Sequence, residues 1–207
     1  MGAAPPVRLI LASASWGRRE LLKQAGLTFE VIPSNVDEPE GGFADPREFT
    51  ATTAWRKAAA VAPRVESGVV IAADSIGWID GGPVLKPADE ADARRILRLL
   101  GGREHELWTG VVLWRRPDDL QLCWQERSRV HFARLTDAAL DAYLATRQWR
   151  GCSGAYAIQE KDDPYVRVLE GSVSNVVGLP VETTVKALEW FETVGVRGTS
   201  PGRGGFR

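Results

Sequence analysis

The sequence predicts a single α/β domain built on a mixed central sheet flanked by helices. Three observations lead to this prediction. Strand-like and helix-like segments alternate near the start, the middle is rich in hairpin-like strands, and the most apolar run, residues 68–73, ends at an acid, Asp74. Alternation favours parallel strands, whereas consecutive hairpins favour antiparallel ones. We therefore expect both kinds of pairing in one sheet.

The first elements read as strand, helix and strand. Residues 7–12 form a short apolar run that predicts a buried strand. Ser15 stands at the N-cap position of a following helix, which Gly26 ends. Residues 28–32 predict a second strand, and it opens into an acidic loop over residues 35–39.

A second helix should begin after Asp45 and run to about Val61. Asp45 supplies an N-cap, Pro46 fits the first helical position and Glu48 fits the third. The apolar strand 68–73 follows, and we expect Asp74 at its carboxyl end.

The remaining elements follow in order to residue 194. The pattern predicts a hairpin of residues 76–80 and 83–85, a helix over 89–100, strands over 105–115 and 121–134, a helix over 136–147, short strands over 155–158 and 165–169, and a helix over 180–194. Residues 195–207 are rich in glycine and short of apolar side chains, which predicts a disordered tail behind one domain of residues 1–194.

Composition argues against several classes of protein. The net charge of −1 offers no global basic field for nucleic acid. No window approaches the ~18 apolar residues of a membrane span, and no export signal opens the chain. Cys123 and Cys152 lack metal-ligand or disulfide spacing. We expect a cytoplasmic protein that binds neither membrane nor nucleic acid, with its eight tryptophans mainly in packing roles.

Common catalytic signatures are missing from the sequence. It contains no GxxxxGK[ST], GxGxxG, HExxH or GxSxG pattern, and both histidines fall in predicted strands. What remains is a set of cations and acids at the ends of predicted elements, where side chains converge on clefts. Each of these residues has a structural interpretation as well as a functional one.

The segment from Ser13 to Arg18 places two hydroxyls and an arginine at a helix start, an arrangement that receives phosphate but equally describes a capped helix with a solvated arginine. Asp74 fits a metal or water ligand, or a residue of a turn. Lys57 either reaches a site or lies along its helix with the charge in water. Lys86 follows an apolar run, where a charge needs some reason. Glu38 lies in a loop that already holds Asp37, where an acid is either functional or simply solvated.

Taken together and in order, these pieces resemble the Maf family of nucleotide pyrophosphatases. The resemblance rests on LASASWGRRELL, VDE, RKAAAV, IAADS, VLKP, LLGGREHELWTGV, GAYAIQ and GSVSNVVGLP, which cover about residues 7 to 191. It implies a Maf/ITPase-like fold of two lobes around a deep cleft. It also implies hydrolysis of a nucleoside triphosphate to the monophosphate and pyrophosphate, with Mg²⁺ or Mn²⁺ as cofactor and a role in cleaning the nucleotide pool.

The resemblance also implies roles for individual residues. Asp74 and Glu38 would be the catalytic acids and the metal ligands. The substrate would be bound by Ser13, Ser15, Arg18, Lys57, Lys86 and Gln159. Family members usually form homodimers, which makes a homodimer the expected assembly.

Base preference should depend on Gly17, Ser75 and Gln159, which match positions near the base. Many members have Asp-Thr where this chain has Asp74-Ser75, and a serine hydroxyl resembles that of threonine, which favours dTTP and UTP or modified nucleotides. Trp16, Gly17 and Cys152 depart from that branch. A 7-methyl-GTP pyrophosphatase and a nucleotide-binding regulator of cell division therefore stay open as alternatives.

Overall fold

The computed structural model describes residues 7–37, 43–158 and 164–196, and its strands form one mixed sheet of seven strands. The strands are β1 (Leu9–Leu11), β2 (Phe29–Val31), β3 (Gly68–Ile79), β4 (Gly82–Val84), β5 (Arg103–Arg116), β6 (Gln121–Phe132) and β7 (Val166–Glu170). The order across the sheet is β2-β1-β3-β5-β6-β7, and β4 pairs with β3. β1 runs parallel to β2 and β3, and the other described pairings are antiparallel. The predicted mixed sheet is confirmed.

Six α-helices accompany the sheet in the described part of the chain. They are α1 (Trp16–Gln24), α2 (Pro46–Val61), α3 (Glu90–Leu100), α4 (Asp137–Ala145), α5 (Val173–Val177) and α6 (Val181–Val196). The predicted caps are present, because Ser15 Oγ accepts a hydrogen bond from the N–H of Arg18 and Asp45 from that of Arg47. No helix among the described residues is long and apolar enough to cross a membrane.

Alternation along β3 sends successive side chains to opposite faces of the sheet. Val69, Ile71 and Ala73 pack in a core that includes Leu22 of α1 and Leu188 of α6. The residues between them face the other way. Val70 and Ala72 pack against the small side chains of α2. The same alternation continues through the next two residues, so that Asp74 points to the face covered by α2 and Ser75 to the face covered by α1 and α6.

Asp74 lies in the middle of a strand, and the prediction that it ends one is wrong. The long strand β5 pairs with β3 from residue 68 to residue 78 and keeps it extended through Asp74. On the opposite edge β1 pairs with residues 69–71 and β4 with residues 77–79. Between β1 and β4, residues 72–76 have no described strand beside them on that edge. Asp74 therefore lies just beyond the carboxyl end of the parallel strand β1.

Other predicted elements also need correction. Residues 155–158 are not a strand, because a 3₁₀ turn covers Ser153–Ala155. The short helix α5 was not predicted. α6 continues to Val196, two residues into the predicted tail, and residues 197–207 lie outside the described part of the chain. Three of the eight tryptophans are exposed, Trp16 by 65%, Trp55 by 45% and Trp190 by 46%, and the other five are buried or half-buried.

Helix α2 approaches the sheet most closely at Gly110 of β5. A Cβ atom at this position would lie 2.5 Å from the carbonyl oxygen of Thr50 in α2. Gly110 is also the register partner of Asp74. Its missing side chain therefore lets α2 settle on the sheet directly beside the acid.

Candidate active site

A cleft of about 640 Å³ lies at the gap between β1 and β4. The loop after β1, the start of α1, Lys86 and several residues of the segment 148–158 line it. The structure brings together every predicted site residue that it describes: Ser13, Ser15, Gly17, Arg18, Lys57, Asp74, Ser75 and Lys86. Glu38 and Gln159 lie outside the described residues, so their roles stay predictions.

Lys57 and Asp74 form a buried ion pair at the floor of the cleft. Lys57 Nζ lies 2.6 Å from Asp74 Oδ1, and the two side chains are 7% and 4% exposed. α2 carries the lysine and β3 carries the acid, so the close approach at Gly110 sets this distance. Removing one partner of a buried ion pair typically costs about 3–5 kcal/mol.

Arg18 binds three segments of the chain that are far apart in sequence. Its Nε donates to the Gly178 carbonyl oxygen at 2.8 Å, Nη1 to Ser13 Oγ at 3.2 Å and Nη2 to Ser75 Oγ at 3.2 Å. The residue is 8% exposed. Arg18 therefore places a positive charge at the cleft and also joins α1 to β3 and to the segment between α5 and α6.

The two cations Arg18 and Lys86 should respond differently to truncation. The sequence predicts that Lys86 binds the phosphates of a substrate, so Lys86→Ala should lower hydrolysis by about 100-fold. The melting temperature should change little, because Lys86 is exposed. Arg18→Ala should lower activity and also destabilise the fold by about 2 kcal/mol, because it removes bonds from a charged donor. Thermal melts and steady-state rates separate the two effects.

Lys23→Ala is the control for both variants, because Lys23 is exposed on α1 and pairs with Glu20 away from the cleft. It should match the parent in rate and in melting temperature. A Lys86→Ala variant that keeps parental activity would remove Lys86 from the site.

Gly17 packs against α5. A Cβ atom at this position would lie 3.0 Å from Val177 Cγ1, so any larger side chain requires Val177 to move. The absence of a side chain at Gly17 therefore allows α1 to pack closely against α5. Its predicted effect on base preference stays a prediction.

Several residues that line the cleft were not predicted to do so. Arg150 and Gln148 come from the segment after α4, and Trp16 is an exposed aromatic at the start of α1. Asn35 also lines the cleft and has a φ of 50°, a backbone conformation that asparagine tolerates better than most residues. Arg150 belongs to a polar segment with no helical or strand period, so its local sequence carries no sign of its position.

Tyr156 in the wall of the cleft is supported by a buried histidine. His105 Nε2 lies 2.7 Å from the Tyr156 hydroxyl, and His105 is 3% exposed. Burial lowers the pKa of His105 from 6.5 to about 4, with a smaller contribution from His131. The imidazole is therefore neutral at pH 7, and the pair is a neutral hydrogen bond behind the cleft wall.

The lowered pKa of His105 predicts a loss of stability in acid. Since the unfolded histidine binds a proton near pH 6.5 and the folded one only near pH 4, unfolding is favoured as the pH falls between these values. From pH 7 to pH 5 this group should cost about 2 kcal/mol. Denaturant melts of the parent and of His105→Gln at both pH values test this, and equal pH slopes in the two proteins would contradict it.

Charge in the described part of the cleft is strongly unbalanced. Four cations line it, Arg18, Lys57, Lys86 and Arg150, against one carboxylate, Asp74. The whole chain, in contrast, carries a net charge of −1. A cleft of this kind fits a polyanion that is held locally.

The side chains that line the cleft also indicate how it could hold a divalent cation. No group of three or more histidine, cysteine, aspartate or glutamate side chains among the described residues could form a closed metal site. Mg²⁺ does not need one, because it is usually held by one or two carboxylates together with substrate phosphates and water. Asp74 at the floor of a cationic cleft fits that arrangement.

Comparison with known proteins gives consistent results. Residues 8–191 match the family model described as Maf-like protein. A protein of Bacillus cereus named dTTP/UTP pyrophosphatase is 38% identical over 184 residues, 89% of this chain and 95% of its own length. One of the same name from Pelotomaculum thermopropionicum is 39% identical over 183 residues, 88% of this chain and 96% of its own.

Among solved structures, a HAM1 protein from Coxiella burnetii shares the fold. The TM-score is 0.50 at 17% identity, over 89% of this chain and 99% of that chain. At this identity the likeness concerns the fold alone.

Proposed function

This chain belongs to the Maf family, and we propose that it hydrolyses nucleoside triphosphates, dTTP and UTP in particular, to the monophosphate and pyrophosphate. The activity follows the names of its relatives, and nucleoside triphosphate pyrophosphatase is the class of enzyme that they indicate. The observation in the structure that carries the proposal is the cleft, whose described lining includes four cations and one buried carboxylate.

The cations would act on the triphosphate. Lys57 is held at the cleft floor by its bond to Asp74. Because an ammonium group has three protons, Lys57 can keep this bond and donate to a phosphate oxygen at the same time. Lys86 and Arg150 also line the cleft. Such fixed cations offset the negative charge that builds on the leaving pyrophosphate. Electrostatic stabilisation of this kind supplies most of the rate acceleration in phosphoryl transfer.

Arg18 has a second role in this account. Its bonds to Ser13 and Ser75 hold the loop after β1 against β3. The start of α1, capped by Ser15, is thereby fixed at the mouth of the cleft, where the N-terminus of a helix favours negative charge. Arg18 would orient the substrate through this loop as well as through its own charge.

Asp74 is the group proposed to orient and deprotonate the attacking water. Within the described residues it is the one carboxylate that lines the cleft. Lys57 holds its orientation through the bond to Oδ1. Glu38 is the second acid that the sequence predicts.

We also propose that a divalent cation, Mg²⁺ or Mn²⁺, takes part. Asp74 would hold it together with oxygens of the triphosphate, and Glu38 would be the second protein ligand. When bound, such an ion neutralises phosphate charge and lowers the pKa of a coordinated water.

A panel of nucleoside triphosphates tests the proposed substrates. Purified protein with Mg²⁺ or Mn²⁺ should release pyrophosphate fastest from dTTP and UTP, and excess EDTA should abolish release. Fastest turnover of 7-methyl-GTP would assign the chain to that activity instead. Tight nucleotide binding without turnover of any member of the panel would favour the regulator of cell division.

A further inference from the structure

Behind the Ser75 hydroxyl lies a chain of hydrogen bonds that ends in the protein interior. Ser75 Oγ lies 2.9 Å from Thr109 Oγ1, and Thr109 Oγ1 lies 3.2 Å from the carbonyl oxygen of Asn175. Ser75 is half-buried and lines the cleft, whereas Thr109 is 0% exposed and does not. Thr109 can therefore affect a ligand only through its neighbours.

The direction of these bonds follows from counting protons. Each hydroxyl has one proton to donate, and a carbonyl oxygen only accepts. If Thr109 donates to Asn175, the short contact between Ser75 and Thr109 requires Ser75 to be the donor. Arg18 Nη2 donates to Ser75 Oγ from a third direction, at 3.2 Å.

The alternative arrangement leaves more hydrogen-bonding groups poorly satisfied. If Thr109 donates to Ser75 instead, the acceptor left for Ser75 is the Gly178 carbonyl oxygen at 3.4 Å. That oxygen already accepts from Arg18 Nε at 2.8 Å, and Asn175 would lose its bond from Thr109. The first arrangement satisfies more groups, and in it the Ser75 proton is donated to Thr109 and is not available to the cleft.

A hydroxyl that can only accept restricts which part of a nucleotide it contacts. Ionised phosphate oxygens are themselves acceptors, so Ser75 is unsuited to the triphosphate. Its position agrees with this, because Ser75 lies on the opposite face of β3 from the Lys57 and Asp74 pair. The remaining donors of a nucleotide are the sugar hydroxyls and the N–H groups of the base.

We propose that Thr109 is a positioning residue for base selection, which holds the Ser75 proton inward so that Ser75 accepts a hydrogen bond from the base. The inference rests on the proposed preference for dTTP and UTP. On the hydrogen-bonding edge of uracil and thymine the donor is N3–H, so this is the group that Ser75 contacts. Cytosine has a lone pair at N3 instead of a proton, so cytosine N3 and Ser75 Oγ would face each other as two acceptors.

Two substitutions of Thr109 test the proposal. Thr109→Val keeps the shape and removes the acceptor at 2.9 Å. The Ser75 proton is then left with only the long contact of 3.4 Å to the Gly178 carbonyl oxygen, which Arg18 already occupies, and can turn towards the cleft. The UTP to CTP ratio of kcat/KM should fall about tenfold, the size of one ordinary hydrogen bond. Thr109→Ser keeps the hydroxyl and should keep the parental ratio. An active Thr109→Val variant with an unchanged ratio would overturn the proposal.

A double-mutant cycle separates this effect from general damage to the fold. In a Ser75→Ala background, Thr109→Val should leave the UTP to CTP ratio unchanged, since there is no hydroxyl left to reorient. Thr53→Val is the matched control: Thr53 is also 0% exposed, and its hydroxyl has no hydrogen-bond partner in the described structure. It should not alter the ratio. An equal effect of Thr109→Val with and without the Ser75 hydroxyl would contradict the mechanism.

Substrate analogues identify which donor Ser75 contacts. The parent should discriminate against CTP through Ser75, and the penalty should shrink in Ser75→Ala. If Ser75→Ala instead removes discrimination between UTP and 3′-deoxy-UTP, Ser75 contacts the sugar and the proposal is wrong. A parent protein that cuts no nucleoside triphosphate would refute the proposed function itself, an outcome distinct from an active enzyme with unaltered ratios.

Discussion

Asp74→Asn should lower hydrolysis by about 100-fold or more, the loss expected when a general base is removed. The amide keeps the shape of the carboxylate and still offers an oxygen to Lys57, which lies 2.6 Å away, but it has neither the charge nor the basicity. Nucleotide binding in the absence of a divalent cation should persist or strengthen, because Arg18, Lys57 and Lys86 are unchanged and the negative charge of Asp74 is gone. Single-turnover cleavage and calorimetric affinity, measured side by side, separate the two effects.

Asp141→Asn is the control for Asp74→Asn. Asp141 is 63% exposed and pairs with Arg94 on the surface, so its loss should change neither rate nor affinity. An Asp74→Asn variant that cleaves within a few-fold of the parent would show that Asp74 is a structural partner of Lys57 and nothing more.

Gly110→Ala should damage both the fold and the active site. The added Cβ would lie 2.5 Å from the Thr50 carbonyl oxygen and 2.9 Å from the N of Ala51, both backbone atoms of α2 that cannot rotate away. Overpacking of this kind costs about 1–3 kcal/mol, and we expect the upper end here. Because α2 carries Lys57, its displacement should also misplace the cation beside Asp74 and lower turnover by about 100-fold.

Gly82→Ala is the matched control, since the nearest atom to its Cβ is 3.8 Å away. It should match the parent in a denaturant melt and in rate. If Gly110→Ala unfolds at the parental denaturant concentration and retains full activity, the close approach of α2 does not position the site.

The elements that could be predicted from the sequence are those with strong local signals. Ser15 and Asp45 cap their helices as predicted, because a side-chain acceptor at the N-cap acts within three residues of itself. Helix α5 is five residues long and rich in valine, so neither its period nor its propensity distinguishes it from a loop.

The position of Asp74 depended on a partner that local sequence does not reveal. An acid after an apolar run is typical of a strand end, but pairing with β5 continues past it to residue 78. Propensity is weaker than a continuous ladder of backbone bonds to a neighbouring strand. The acid still reaches the cleft, since β1 stops short of it.

The network around Arg18 could not be predicted from spacing alone. Its bond to Gly178 joins residues 160 positions apart, and the contact of Ser75 with Thr109 joins strands that meet only in the sheet. Order and spacing of the family motifs placed Arg18 and Ser75 in one site, whereas their hydrogen-bond partners required the fold.

The products of hydrolysis test the central claim most directly. When dTTP or UTP is incubated with the protein and a divalent cation, ³¹P NMR should show nucleoside monophosphate and pyrophosphate in equal amounts from the first turnover onwards. Asp74→Asn, measured in parallel, should show neither product on the same time scale. Formation of nucleoside diphosphate and single phosphate by the parent would mean that a different bond is broken, and would contradict the account.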